Sequence, residues 1–404
     1  MPVGLDDRLH LLPVAGVRLD AAAAGIRYRG RDDLVLIRFA RDTEAAAVFT
    51  RNAFCAAPVL VAREHLAVTH PRALLINAGN ANAGTGEEGL AAARATCVAA
   101  ARVLEFSPEE ILPFSTGVIG EPLPVAPFEA ALPRLVEGLH EEGWERAARA
   151  IMTTDTVPKG ASRCVTVEGR DINVTGIAKG SGMIHPDMAT MLAFLATDAR
   201  VAREHLQMLL LEVTECSFNR VTVDGDTSTN DACVLAATGR SGVTLDPSHP
   251  EWSHFATAVE AVCVQLAQAM ARDGEGATKF ITIRVEGGSD PRECLQVAWT
   301  VAHSPLVKTA FFASDPNWGR ILAAVGRAGL QELDISRVEI WLDDLCIVRD
   351  GGRDPAYTEE EGQMVMEQEE IVVTIRLGRG TAAETVWTTD LSHEYVRINA
   401  EYRT

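Results

Sequence analysis

The tract Lys179-Gly180-Ser181-Gly182-Met183-Ile184-His185-Pro186-Asp187-Met188-Ala189-Thr190 leads a glycine-rich turn and a proline bend up to a small residue and then a threonine. An apolar, strand-like run, Met191–Leu195, follows. A lone threonine is a poor nucleophile. As the first residue of a chain it gains a base of its own, because the freed α-amine sits beside the hydroxyl. The Ala189–Thr190 bond is therefore where self-cleavage would make such a nucleophile. Gly180, Gly182 and Pro186 could hold that bond bent, and strain stored at one bond is a recognised property of functional sites. The plain alternative is a β-favouring residue that opens a strand after a turn.

Further tracts could serve such a nucleophile. In Phe114-Ser115-Thr116-Gly117-Val118-Ile119-Gly120 a glycine N–H and a neighbouring hydroxyl could point together at a developing oxyanion; a tight loop closing a strand is the alternative. Thr153-Thr154-Asp155-Thr156-Val157-Pro158-Lys159 offers hydroxyls, a carboxylate and an ammonium, or is a polar loop ending a helix. Arg272-Asp273-Gly274-Glu275-Gly276-Ala277-Thr278-Lys279 is a glycine turn at a helix end that offers Glu275 to a site, or is a plain helix stop. Asp224 to Asp231 is spaced unlike a calcium loop, with its glycine second and no closing glutamate, and reads as an Asx-rich turn. Ala313 to Arg320 reads as a structural turn or a pocket wall. Gly84-Thr85-Gly86-Glu87-Glu88-Gly89 matches G-x-G-x-x-G in form. Glu87 and Glu88, however, occupy the first helical turn, where a pyrophosphate would have to sit, so dinucleotide binding is set aside.

The elements that must position these residues alternate in type. Strands are expected at Leu34–Phe39, Leu74–Ile76, Met191–Leu195, Val221–Val223, Cys233–Ala237, Phe280–Val285, Val338–Leu342, Ile371–Leu377 and Thr385–Leu391. A hairpin joins Val165–Val167 to Asp171–Ile177. Helices are expected at Glu87–Leu104, with a capping box from Thr85 and Glu88, over most of Pro122–Gly138 and Glu142–Met152, and at Ala202–Cys216, Trp252–Arg272 and Asn317–Val325. Interleaved strands and helices place the chain in the α/β or α+β class, with layered sheets and helices.

At 404 residues, 47% hydrophobic and 23% charged, the chain has the composition of a globular enzyme. A net charge of -19 repels phosphate backbones and anionic membranes, so neither nucleic acid nor a membrane is an expected partner. No signal pattern opens the sequence, and a cytoplasmic location is expected. The eight cysteines form no C-x-x-C pair and read as reduced, mostly core thiols. The ten histidines form no ligand cluster, so no metal is expected.

The order of these motifs along one chain is more telling than any of them alone. NAGNANAGTGEEG, STGVIG, TTDTVPK, KGSGMIHPDMATMLAFLATDA, SFNRVTVDGDTSTNDA, DGEGATKF, HSPLVKTAFFASDPNWGRILAAVGRAG and YVRINAEYRT together resemble the ornithine acetyltransferases, or glutamate N-acetyltransferases, of arginine biosynthesis. The resemblance spans essentially the whole chain. It implies a two-lobed α/β sandwich, cleaved between Ala189 and Thr190 into an α chain, 1–189, and a β chain, 190–404, assembled as α2β2. It implies acetyl transfer from N2-acetylornithine to glutamate through an acetyl-threonine, without a cofactor, and leaves acetyl-CoA open as a second donor. Thr116 and Gly117 match the family's oxyanion hole; Thr153, Lys179, Thr190, Glu275, Asn399 and Thr404 match its substrate contacts. Asp187, where asparagine is commoner, and Gly84, where a cysteine often sits, depart from the pattern without touching the mapped chemistry. An aminopeptidase-like hydrolase with the same nucleophile and a non-catalytic amino-acid-binding protein are the alternatives.

Overall fold

The structure, a computed structural model, describes residues 2–185 and 191–401. In chain order the strands are β1 (Val17–Ala22), β2 (Leu34–Phe39), β3 (Glu44–Phe49), β4 (Ala73–Asn80), β5 (Ile111–Val118), β6 (Lys159–Val167), β7 (Arg170–Lys179), β8 (Leu192–Thr197), β9 (Arg200–Val201), β10 (Ala232–Ala237), β11 (Thr244–Leu245), β12 (Phe280–Gly288), β13 (Glu339–Leu342), β14 (Leu345–Arg349), β15 (Gly352–Arg353), β16 (Glu370–Arg376) and β17 (Ala382–Thr389). The helices are α1 (Ala57–Val68), α2 (Gly86–Leu104), α3 (Ala126–Glu137), α4 (Trp144–Ala150), α5 (Arg203–Glu215), α6 (Trp252–Arg272), α7 (Pro291–Ala302), α8 (Pro305–Phe312), α9 (Trp318–Gly326), α10 (Glu359–Met366) and α11 (His393–Glu401).

The chain forms two compact units. The first takes Asp6–Asn219 and Asp226–Ala267 and holds two main sheets, ordered β1-β2-β4-β5 and β3-β10-β8-β7-β6. They pack face to face: Leu74, Ile76 and Phe114 of one sheet share a core with Ile177, Phe194 and Val234 of the other. Phe114 and Phe194 meet edge to face, centroids 5.1 Å apart. The opposite side of β4 is also apolar, so Ala73 and Leu75 bury against α2 and α3. A strand covered on both faces reads as an unbroken apolar run, and Ala73-Leu74-Leu75-Ile76 is one. In α2, Gly89, Ala93, Cys97 and Ala101 recur at helical spacing and form the buried stripe. β4, α2 and β5 make a parallel crossover that carries the chain to Thr116.

The second unit takes Arg220–Gly225 and residues 268–401, with the sheet β15-β14-β13-β16-β12-β17. Ile281, Ile283, Val373 and Ile375 pack there with Val297, Val301 and Phe311 of α7 and α8. The expected α/β class holds, with helices layered on sheets within each unit.

Local expectations fail in instructive places. No capping box forms at Thr85: its hydroxyl donates to Asn82 Oδ1 at 2.9 Å. A capped start occurs instead at Thr358, whose hydroxyl accepts from the Glu361 amide at 3.3 Å. Val221–Val223 is not a strand; only Val221 bridges, to Trp387. The helix expected from Pro122 begins at Ala126. Four cysteines, Cys97, Cys233, Cys263 and Cys294, are buried, fewer than the composition suggested. Among the described residues no helix is long and apolar enough to cross a membrane.

Candidate active site

The oxyanion candidates lie inside a strand, not in a loop that closes one. β5 runs through Thr116 and Gly117, and its parallel pairing with β4 reaches Ala78↔Thr116 and Gly79↔Gly117. Here the two backbones close up. Gly117 takes φ +131°, and a Cβ on it would lie 2.2 Å from the Gly79 carbonyl carbon and 2.6 Å from the Asn80 nitrogen. Any side chain would force the strands apart, so this position demands glycine. Side chains tie down the same strand ends. Ser115 Oγ donates to Asn77 Oδ1 (2.6 Å), and Asn77 Nδ2 donates to the Asn80 carbonyl (2.8 Å). Asn230 Nδ2 donates to the carbonyls of Ala81 (2.6 Å) and Ser115 (2.9 Å).

Lys179 ends β7, and its ammonium donates to Thr116 Oγ1 at 3.2 Å; both residues are buried. A hydroxyl that accepts from an ammonium keeps its own proton to donate elsewhere. The turn after β7 is anchored by Asp155. Its Oδ1 accepts from Gly180 N–H at 2.7 Å and from the Lys159 ammonium at 2.7 Å, with both side chains of that ion pair wholly buried. Burial alone would push the Asp155 carboxyl up. The ammoniums of Lys159 and Lys179 and the Gly180 amide outweigh it and hold the group well below the usual carboxylate range. Thr154 Oγ1 also bonds Ser181 Oγ at 2.7 Å. Thr153 reaches this network through its backbone, its N–H donating to Asp155 Oδ2 at 3.0 Å.

Asp231, the residue before β10, closes the tract that reads as an Asx-rich turn. Its Oδ1 accepts from Met191 N–H at 2.8 Å, and Met191 O accepts from Ala232 N–H at 3.1 Å. Both backbone groups of the residue covalently next to Thr190 are therefore fixed. Among the described residues Asp231 Oδ2 is buried without a hydrogen-bond partner, and burial raises the carboxyl well above its ordinary value. The readable signal was a polar Asn230-Asp231 pair entering a wholly apolar strand, a placement that costs free energy unless the polar groups are used.

In the second unit Glu275 and Asn399 meet directly. Asn399 Nδ2, on α11, donates to Glu275 Oε2 at 2.7 Å and to Tyr395 O at 3.0 Å. The turn carrying Glu275 is pinned to the start of α11: Ser392 Oγ donates to Gly276 O at 2.6 Å. Gly276 takes φ +69°, and a Cβ there would come 2.5 Å from the Tyr395 nitrogen. Tyr395 Oη donates to Asp224 Oδ2 at 3.3 Å. Ala313 to Arg320 proves to be the structural turn between α8 and α9, capped by Asn317. Ala189, Thr190 and Thr404 lie outside the described residues.

The geometry thus gathers Thr116, Gly117 and Lys179 in one place, and Glu275 with Asn399 in another. Comparison with known proteins decides the family. A model described as the ArgJ family matches residues 18–404. The chain belongs to the ArgJ family. It is 60% identical over 397 residues to the arginine biosynthesis bifunctional protein ArgJ of Methylococcus capsulatus, covering 98% of this chain and 97% of that one. To the protein of the same name from Pseudomonas fluorescens it is 56% identical over the full length of both. A crystal structure of the arginine biosynthesis bifunctional protein ArgJ from Bacillus halodurans superposes with TM-score 0.51 at 40% identity, covering 53% of this chain and 100% of that one. The resemblance drawn from motif order is borne out, and this ArgJ-family chain is an arginine-biosynthesis enzyme of the ornithine acetyltransferase kind.

Proposed function

We propose that the chain cuts itself between Ala189 and Thr190, and that Thr190 then carries an acetyl group from N2-acetylornithine to glutamate. The observation that carries this reading is the register of β7 and β8. Leu192, two residues after Thr190, pairs with Lys179, whose ammonium lies on the Thr116 hydroxyl. The chain leaving Thr190 thus starts beside the oxyanion candidates.

The chemistry is a double displacement. Thr190 Oγ attacks the acetyl carbonyl while the α-amine of Thr190 takes the hydroxyl proton. The Thr116 hydroxyl, left free to donate by its bond from Lys179, and the Gly117 amide hold the negative oxygen. The intermediate collapses, the C–N bond breaks, and ornithine leaves with the proton on its nitrogen. The α-amine of glutamate then attacks the threonine ester, Thr190 Oγ leaves and recovers a proton, and N-acetylglutamate departs. Lys179 is assigned to the substrates' α-carboxylate, and Glu275 to a substrate ammonium beside Asn399. Thr153 and Thr404 complete the proposed contacts. No cofactor is required by these steps. The word "bifunctional" in the relatives' names supports acetyl-CoA as a second acetyl donor.

The fold gives self-cleavage a way to leave the protein whole. β7 lies before residue 190 and β8 after it, and they pair side by side; β3 and β10 do the same. The pieces 1–189 and 190–404 would share a sheet. The Bacillus halodurans chain is covered entirely by 53% of this one, and residues 190–404 are the same share of the 404. We assign an α2β2 assembly and a cytoplasmic location on the family resemblance.

Denaturing mass spectrometry tests the reading. Two pieces are expected, the larger beginning with Thr190, and Thr190→Ala should give one uncut, inactive chain. A wild-type chain that stays whole after long incubation, yet transfers acetyl, would overturn it.

A further inference from the structure

The residues around the far end of β4 have no part in this chemistry. Ala78 pairs with Thr116, and Ala73 with Ile111, so the two ends of this β4–β5 pairing are five residues, about 17 Å, apart. At the Ala73 end a cleft of about 230 Å³ opens, lined by Arg18, Arg38, Arg41, Arg72 and a single acid, Glu141.

This clustering is costly. Arg18 and Arg38 are direct partners across β1 and β2, and like charges facing each other in an antiparallel pair destabilise it. Arg38 in turn pairs with Ala73, which brings Arg72 alongside. The chain carries 56 acidic residues, yet none forms an ion pair with these four guanidiniums among the described residues. Elsewhere in the same unit the common pattern holds: Arg146 pairs with both Asp20 and Asp32. Among the described residues Arg72 Nε is buried with no hydrogen-bond partner, and its guanidinium carbon lies over Phe106, 4.3 Å from the ring centroid. Arg240 adds to the positive rim by donating to the Arg41 carbonyl at 3.4 Å. A planar fork fixed on a ring, with donors unspent, is prepared for a multiply charged oxyanion.

We propose that this cleft binds a di- or triphosphate group, at a site separate from the acetyl-transfer chemistry. Three features favour phosphate over a single carboxylate. Four guanidiniums exceed what one carboxylate can neutralise, the cleft opens to solvent, and Arg offers several parallel N–H donors to tetrahedral oxyanions. The phosphate could be free or part of a nucleotide.

Calorimetry on the purified full chain tests this with inorganic pyrophosphate, ADP and succinate. One pyrophosphate per chain is expected, binding more weakly as salt rises. Arg38→Gln and Arg72→Gln should each weaken it about tenfold or more, while acetyl transfer stays unchanged. Tighter binding of ADP would assign a nucleotide; equal binding would assign the phosphates alone. Lys179→Met should leave the affinity intact, which separates this site from the reading of the active site. The proposal is overturned by no saturable binding, by succinate binding as well as pyrophosphate, or by binding lost in Lys179→Met but kept in both arginine variants. It is also overturned if Arg38→Gln and Arg72→Gln change only the oligomeric state, which would make the arginines an interface between copies.

Discussion

Thr116, Gly117 and Lys179 stand on strands inside a buried, cross-linked network, whereas Glu275 and Asn399 meet on a turn and an exposed C-terminal helix. In the first group even the neighbours are constrained: Gly117 has no room for a methyl, and Ser115 is held both by its side chain and by its carbonyl. In the second, one hydrogen bond joins the two residues, and Asn399 faces solvent. The difference matches two tasks. Stabilising a developing charge needs donors fixed before the reaction, because reorganisation then costs nothing at the transition state. Recognising a substrate ammonium tolerates a surface that adjusts. Substitutions in the first group should therefore change turnover, and those in the second should change substrate affinity.

The largest effect on turnover is expected at Thr116. Removing one oxyanion donor costs about 10²–10³ in turnover, so Thr116→Ala should lower kcat by that order with KM little changed, in a steady-state assay of matured enzyme. Full activity would remove this hydroxyl from the oxyanion hole and break the contrast. Asp155 comes next, as the anchor of the first group. Asp155→Ala strands the wholly buried Lys159 ammonium, and breaking a buried pair from one side costs about 3–5 kcal/mol, measurable by urea unfolding. The pH dependence has a definite sign. The native Asp155 carboxyl is held below its unfolded value, so its contribution is full above the ordinary aspartate range and is lost as pH falls through the depressed native value. Wild-type stability should fall along that acid limb, and the variant should lack this part of the slope. The smallest effect belongs to Asn399→Ala. An exposed substitution of this kind moves stability within about 0.5 kcal/mol, and KM should rise while kcat holds. A fall in kcat equal to that of Thr116→Ala would place both groups in the chemistry and dissolve the distinction.

How much of this was legible beforehand depended on whether the signal was local. The apolar runs of β2, β8 and β10 and the alanine stripe of α2 are properties of contiguous residues, and each was readable. The Ser115-Thr116-Gly117 tract looked like a loop because small and polar residues dominate it. In the fold it is a strand whose oddities are set by a partner nearly forty residues away, where Gly79 approaches Gly117. Thr85 illustrates the same limit: its spacing to Glu88 suits a capping box, but its backbone is helical where a capping residue is extended, and its hydroxyl accepts no amide of the helix. Lys159 was one polar residue among several until Asp155 was seen to bury with it. Asp231 lay in an Asx-rich tract that assigned it no role; its meaning comes from facing the Met191 amide across forty residues of chain. Thr116 and Glu275 stood out in their own tracts, whereas the roles of Asn399 and Lys179 were found through motif order, and no local periodicity singles them out.

The central claim is that Thr190 is the acyl carrier, and the most direct measurement is the mass of each polypeptide after incubation with donor alone. With N2-acetylornithine and no glutamate, the piece 190–404 should gain one acetyl group, lose it when glutamate is added, and leave the piece 1–189 unchanged. A matured enzyme that turns over both substrates yet never shows an acetylated 190–404 piece, with intersecting initial-rate lines, would mean direct transfer in a ternary complex and would contradict the account.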